Sequence, residues 1–280
     1  MTTALATAVA DGRDPVLGYA PHRVGRVTLI VHDLDRVSRF YQSTLGLRVL
    51  EHAPGAVRLG TGSSVLLELE HDPDARIRDR REAGLFHTAF LLPDRAELGA
   101  WLSFAMVEGV ELTGAADHLV SEAVYLDDPE GNGIEIYADR PKAAWAWDGP
   151  NVRMATERLD VSDLLGELKA DDSGWKGAPE GSLIGHVHLR VGDAKIAEDW
   201  WNSEMGFDTV ARYGGAAVFL STGGYHHHIG ANAWQSKGAG PRDDERSGLM
   251  WVELESETAA PSEKRDPWGT IVRTVAAKAA

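Results

Sequence analysis

Apolar residues alternate with polar or small ones from Gly25 onward, and the run ends at Asp33, a side chain suited to capping a helix. This pattern predicts a strand feeding a helix. The bulky pair Phe40 and Tyr41 falls late in that helix, facing a sheet, and Gly46 fits its C-cap position. The same succession returns at Gly185, Asp193, Trp200 with Trp201, and Gly206, at a constant offset of 160 residues without a gap. Several separate landmarks at one offset mark an internal repeat.

A weaker copy starts at Leu85 and reaches Asp94, with a helix predicted over 95–108. It closes through Tyr125 and Leu126, a turn over 127–133, and a strand over 134–137. A fourth copy runs from Gly248 to Leu254 and skips to Asp266–Val275, without the helix and hairpin expected between them. The chain therefore reads as an α+β fold of four β-α-β-β-β units forming two modules, the fourth unit truncated. Residues 1–22 read as a flexible arm, 23–140 as the first module, 141–181 as a connector with a short amphipathic stretch near 158–170, and 182–280 as the shortened second module.

Composition narrows the chemistry. A length of 280 residues suits two domains, each with its own core. The net charge of −15 argues against nucleic acid or an anionic membrane as partner, since both select clustered Lys and Arg. No apolar stretch is long enough for a membrane span, and the N-terminus lacks the basic segment and apolar core of a signal peptide, so a cytoplasmic location is expected. With no cysteine, disulfides and thiolate ligands are excluded; a metal would be held by His, Asp or Glu.

The arrangement resembles the vicinal oxygen chelate superfamily, and more narrowly its two-module, catechol 2,3-dioxygenase-like branch. Gly84–His87, Asp117–His118 with Val120–Tyr125, Asp128–Pro141, Ile184–His188 and Gly223–Gly230 with Asn232 and Trp234 carry the likeness. In that superfamily, units pair into a cup whose metal takes ligands from the first and last strand of each unit. Carried onto this chain, the first-strand column reads Arg26, His87, His186 and Trp251. The last-strand column reads about Glu68, Glu135, one of His226–His228, and about Arg273. Units 2 and 3 alone supply ligand-type residues in both columns. A cup shared by units 2 and 3 is favoured over pairings of 1 with 2 and 3 with 4, with His87, Glu135 and His186 as the ligands. One of His186 and His188, and one of His226 and His228, is expected to line the pocket, with His227 facing away. Arg26 is expected in an emptied cup, paired with Glu68 or another carboxylate.

Two histidines and a carboxylate suit non-haem Fe(II) with substrate and O₂ bound together, with Mn, Ni or Zn as alternatives. The resemblance implies extradiol cleavage of a small catechol-like aromatic, with His118 relaying a proton and Tyr125 hydrogen-bonding an oxygen. A glyoxalase-type isomerase or lyase and a metal-free binding or resistance protein remain the alternatives. His22, His32, His52 and His71 read as solvated, and the tryptophans at 145, 147, 175, 200, 201, 234, 251 and 268 as anchors of the connector and module interfaces. A sheet edge left open by the truncated unit invites a second copy, so a homodimer is expected.

Overall fold

The computed structural model describes residues 20–168, 174–243 and 245–277, so the arm expected over 1–22 lies outside the described residues except for its last three. The first unit holds β1 (His22–Val31), α1 (Leu34–Thr44), β2 (Arg48–Ala53), β3 (Ala56–Thr61) and β4 (Ser64–His71). The second holds β5 (Gly84–Leu91), α2 (Arg95–Glu108), β6 (Gly114–Asp117), β7 (Ser121–Asp127) and β8 (Gly133–Asp139). A connector follows with a small hairpin, β9 (Trp147–Asp148) and β10 (Asn151–Val152), and a short helix, α3 (Val161–Leu165). The third unit is β11 (Leu183–Arg190), α4 (Ala194–Met205), β12 (Asp208–Tyr213), β13 (Ala217–Ser221) and β14 (Ile229–Asn232). Last come β15 (Gly248–Ser256), β16 (Ser262–Arg265) and β17 (Ile271–Ala276).

The sequence signals at the helix ends operate as expected. Asp33, Asp94 and Asp193 accept from backbone N–H groups in the first turns of α1, α2 and α4, which would otherwise lack partners. Gly206 ends α4 at φ 72°, a left-handed conformation that glycine adopts without steric cost. The fourth unit differs from expectation. Its helix is absent, but β16 pairs antiparallel with β17, so part of the hairpin survives. Its sequence, Ser-Glu-Lys-Arg, has no apolar alternation to reveal a strand.

Two curled sheets result. One has the order β16-β17-β15-β1-β4-β3-β2 and the other β12-β13-β14-β11-β5-β8-β7-β6. Antiparallel joins between β1 and β15 and between β5 and β11 bring unit 1 together with unit 4, and unit 2 with unit 3. The seven-stranded sheet thus unites the two ends of the described chain, while the eight-stranded sheet is built from its two middle units on either side of the connector. Val27, Leu29 and Val31 of β1 and Val187 and Leu189 of β11 face a common core that also takes Tyr41, Trp101 and Trp201 from the helices. Trp101 donates to the Thr44 carbonyl at 2.9 Å, tying α2 to the end of α1. With the odd-numbered residues of β11 committed to that core, His186 and His188 face the other way. Among the described residues, no helix is long and apolar enough to cross a membrane.

Candidate functional site

Strand register builds the site in two adjacent rows across the eight-stranded sheet. In one row His186 of β11 lies opposite Ala89 of β5, which neighbours Glu135 of β8, which in turn faces Tyr125 of β7. The next row runs from Gly230 of β14 through His188 and His87 to Gly133. Small Ala89 between His186 and Glu135 leaves space above the sheet for both longer side chains to converge. Phe86 has no partner in the β5–β11 ladder; this bulge lets Phe86 and His87 both line the same cavity.

The convergence is tight. His87 Nε2 lies 2.9 Å and His186 Nε2 3.1 Å from the same Glu135 Oε2. The ligand atoms of the three residues lie within 4.8 Å of one another, and all three side chains are buried. His87 Nε2 nevertheless makes no well-directed hydrogen bond, despite its short distance to Glu135. His186 Nε2 is hydrogen-bonded to Glu135, whereas the His87 nitrogen is buried beside the same oxygen without a partner; three nitrogen and oxygen donors converging on one point, one of them unpartnered, fit a metal. Burial works to raise the Glu135 carboxyl, but neighbouring His186 and His87 outweigh it and hold it well below the usual range. Burial likewise takes His186 down to about 4, against the pull of Glu135, leaving a neutral imidazole.

The cavity above the group measures about 420 Å³, within the range of small-molecule sites. Beside the group the cavity is lined by Tyr125, next to Glu135 on the sheet, and by His118, whose Nε2 lies 2.6 Å from the Tyr125 hydroxyl. His118 Nδ1 is 2.7 Å from the Ala155 carbonyl, which can only accept, so Nδ1 carries the proton and Nε2 accepts from Tyr125. Burial, reinforced by the Glu135 charge, keeps the Tyr125 phenol well above its ordinary range and therefore protonated.

The other expected pocket residues divide differently from the sequence reading. His186 and His188 both line the cavity. His188 Nε2 accepts from Asn232 Nδ2 at 3.0 Å, which occupies that lone pair, and its ring lies over Gly230. Gly230 holds the last-strand column position of unit 3, where His226–His228 were expected. A β-carbon there would lie 2.8 Å from the His188 ring.

The triple histidine is corrected as well. His227 lines the cavity, its ring 4.1 Å from that of His186, whereas His226 and His228 are fully buried behind the wall. Residues 222–228 precede β14 and form no strand, so two-residue alternation does not apply to them. His226 Nε2 donates to Asp139 at 2.8 Å, which leaves its Nδ1 to accept from His227 Nδ1, also at 2.8 Å. His228 Nδ1 accepts from the Thr222 amide.

Sequence reasoning missed Phe86, Trp234 and the connector residues Met154 and Ala155 as cavity wall. Trp234 is half exposed and packs edge-on to Phe86, 5.5 Å away; an interface anchor would be covered. His22, expected to be solvated, is half-buried in β1, stacked on Phe207 and joined through its backbone to Thr222.

Among the described residues, the seven-stranded sheet carries no comparable group. Arg26 Nη1 lies 3.2 Å from Glu68 and its Nη2 2.7 Å from Glu253, while Arg58 holds the other Glu68 oxygen at 2.8 Å. Arg273 lies over the Trp251 ring at 3.7 Å. Cations fill the positions that ligands would need.

Paired β-α-β-β-β units with a buried His–Glu–His group on one curled sheet define a metalloprotein class of the vicinal oxygen chelate kind. Residues 23–136 match the model of the Glyoxalase/Bleomycin resistance protein/Dioxygenase superfamily. The chain is 43% identical over 230 residues to a catechol-2,3-dioxygenase of Bacillus subtilis (strain 168), an alignment covering 81% of this chain and 80% of the relative. Its fold is similar to that of glyoxalase I from Zea mays, with a TM-score of 0.55 at 14% identity over 92% of this chain and 94% of the other. It is also similar to the cppA protein of Streptococcus pneumoniae TIGR4, with a TM-score of 0.52 at 13% identity over 90% and 98%. The chain belongs to the glyoxalase/bleomycin resistance/dioxygenase superfamily, in its catechol dioxygenase-like branch. It is an enzyme of the oxygenase kind.

Proposed function

We propose that this protein is a non-haem Fe(II)-dependent extradiol dioxygenase that opens the ring of a small catechol-like aromatic. The observation that supports it most is the convergence of two imidazoles and one carboxylate, His87, His186 and Glu135, under a cavity with room for a substituted aromatic ring. Three protein ligands leave positions for both oxygens of a diol and for O₂. The B. subtilis relative named catechol-2,3-dioxygenase points to the same substrate class. Bound at these ligands, Fe(II) would acidify a catechol hydroxyl and provide a path for electrons from the diolate, the net reductant, to O₂.

The chain's own residues carry the rest. Phe86, Phe219, Met154 and Trp234 make apolar walls that exclude water and seat the ring. Tyr125 offers its hydroxyl proton to a substrate oxygen while His118 Nε2 stands 2.6 Å behind as the base that returns or takes it. The bond from His118 Nδ1 to Ala155 keeps that nitrogen protonated and Nε2 basic. On the other side, the chain from Asp139 through His226 fixes His227 in the tautomer that leaves its Nε2 lone pair free.

The test is anaerobic loading with Fe(II), addition of a catechol panel, then admission of O₂. Stoichiometric O₂ uptake with a yellow ring-fission absorbance is expected. Iron bound at the three residues with no O₂ uptake across the panel would overturn the reaction while leaving the metal site standing.

A further inference from the structure

A second cavity of about 170 Å³ opens between the two sheets beside the first, lined by Arg78, Arg80, Glu130, Asn132, Arg190 and Ser247 among others. Arg190 ends β11, two residues beyond His188 on the same strand face, and both it and Arg80 line the two cavities. It is only 5% exposed. Among the described residues its guanidinium makes one hydrogen bond, from Nη1 to the Leu85 carbonyl at 2.6 Å, and lies 5.2 Å from the Phe86 ring, while Nε is buried without a hydrogen-bond partner. Arg78 donates to the same carbonyl at 3.3 Å. Two guanidinium groups thus share one neutral acceptor, and among the described residues neither has a carboxylate in ion-pair contact.

The nearby acids are engaged elsewhere. Asp127 pairs with Arg80 and Glu82 with Arg246. Glu130 is bonded by the His32 and Asp33 amides. Asp128 accepts from Asn132, from the Glu130 amide and from Tyr41. Arg78 is also seated closely: β-carbons at Gly84 or Gly248 would lie 2.5 and 2.8 Å from its guanidinium. Burial and the charges of Arg190 and Arg242 lower the Arg78 guanidinium to about 9, more than the Glu82 and Asp128 carboxylates offset. In a chain of net charge −15, such a pocket is a local exception.

We propose that the Arg78–Arg190 cavity binds a small oxyanion of the carboxylate or phosphate class, held by paired guanidinium donors. The anion has two sources open to it: a free anion, or a carboxylate carried on the aromatic in the main cavity, reaching through the wall that Arg80 and Arg190 share. The second source rests on the proposed dioxygenase function. His186, His188 and Arg190 then act as a ruler along β11, since four strand residues span about 13 Å, room for a ring at one end and an acidic side chain at the other.

Calorimetric titration of the full-length, Fe(II)-loaded protein under argon with inorganic phosphate tests this without turnover. Saturable binding of one phosphate per chain is expected, weakened tenfold or more in Arg190→Gln and partly restored in Arg190→Lys, with circular dichroism unchanged. If Arg78→Gln fails to fold, the Arg190 pair carries the test alone. No saturation in the millimolar range, or equal affinity in wild type and Arg190→Gln, overturns the proposal. Competition by phosphate against a carboxylate-bearing catechol but not against catechol itself identifies the ring-borne source. Phosphate binding unaffected by either identifies the free anion. A protein that binds phosphate but no catechol sinks the dioxygenase reading and leaves this site intact.

Discussion

Glu135 and Tyr125 stand side by side in one row of the sheet, and their difference in chemistry separates two roles. Glu135 sits between two imidazoles, so removing one of them removes a ligand and leaves a buried carboxylate short of a partner. His186→Ala is therefore expected to abolish metal retention, read by elemental analysis, while circular dichroism stays native; full iron occupancy in that variant would rule out the proposed ligand set. Tyr125→Phe keeps the ring and removes the proton between substrate and His118. It is expected to lower kcat by about 10²-fold with iron content unchanged, in line with the usual contribution of a positioned acid or base. A drop in bound iron instead would give Tyr125 a place in the metal site. At this scale the sequence was informative where residue type alone restricts chemistry, as at His87 and Glu135. It was misleading at His226–His228, because which of three adjacent histidines faces the cavity depends on backbone that follows no fixed period.

At the scale of elements, β14 and β1 show how two ligand-column positions are filled in opposite ways. On β14, Gly230 leaves room for the His188 ring, and Gly230→Ala forces that ring to move from Asn232. Overpacking of this kind costs about 1–3 kcal/mol. Urea denaturation is expected to register a loss in that range, together with a raised KM as the cavity wall shifts. On β1, Arg26 fills the first-strand column position with a cation braced by Glu68 and Glu253. Arg26→His is expected to reduce stability and leave turnover and iron content nearly unchanged; a second iron per chain would show instead that the seven-stranded sheet holds a latent site. The helices and the 160-residue repeat were legible because periodicity and caps are local. The strand β16 was not, since its polar residues carry no alternation. The connector's part in the wall was equally hidden, because Ala155 acts through a backbone carbonyl that any residue could supply.

Across the whole molecule, burying several histidines makes folding sensitive to acid. Burial takes His228 down to about 3 and also lowers His188 and His227 well below the ordinary value of 6.5. These groups stay unprotonated when folded and take protons when unfolded. Their contribution to stability is therefore complete above about pH 6.5 and is lost as pH falls toward the folded-state values. Each group adds a slope of about 1.4 kcal/mol per pH unit in that window. In the presence of a chelator, wild-type stability is expected to fall steeply between pH 6 and 4. His228→Asn, whose Oδ1 can still accept from Thr222, is expected to lose one proton's worth of that slope; an unchanged slope would mean that His228 is protonated in the folded state.

The same division holds for the fold as a whole. By itself the sequence determined the repeat, the helix ends, the absence of thiolate chemistry and the residue types His, His and Glu of the candidate site, because each is written in local spacing or in residue identity. Ligand chemistry in the sequence already favoured the pairing of units 2 and 3, but only the tertiary structure decided the β5–β11 register, that His227 and not its neighbours faces the cavity, and that Arg78 and Arg190 meet around one carbonyl. Those outcomes depend on which strand edges pair and how far each is shifted. Hydrogen bonds between strands are made by the backbone, which is the same at every position, so edge pairing and register emerge only when all the side chains pack at once.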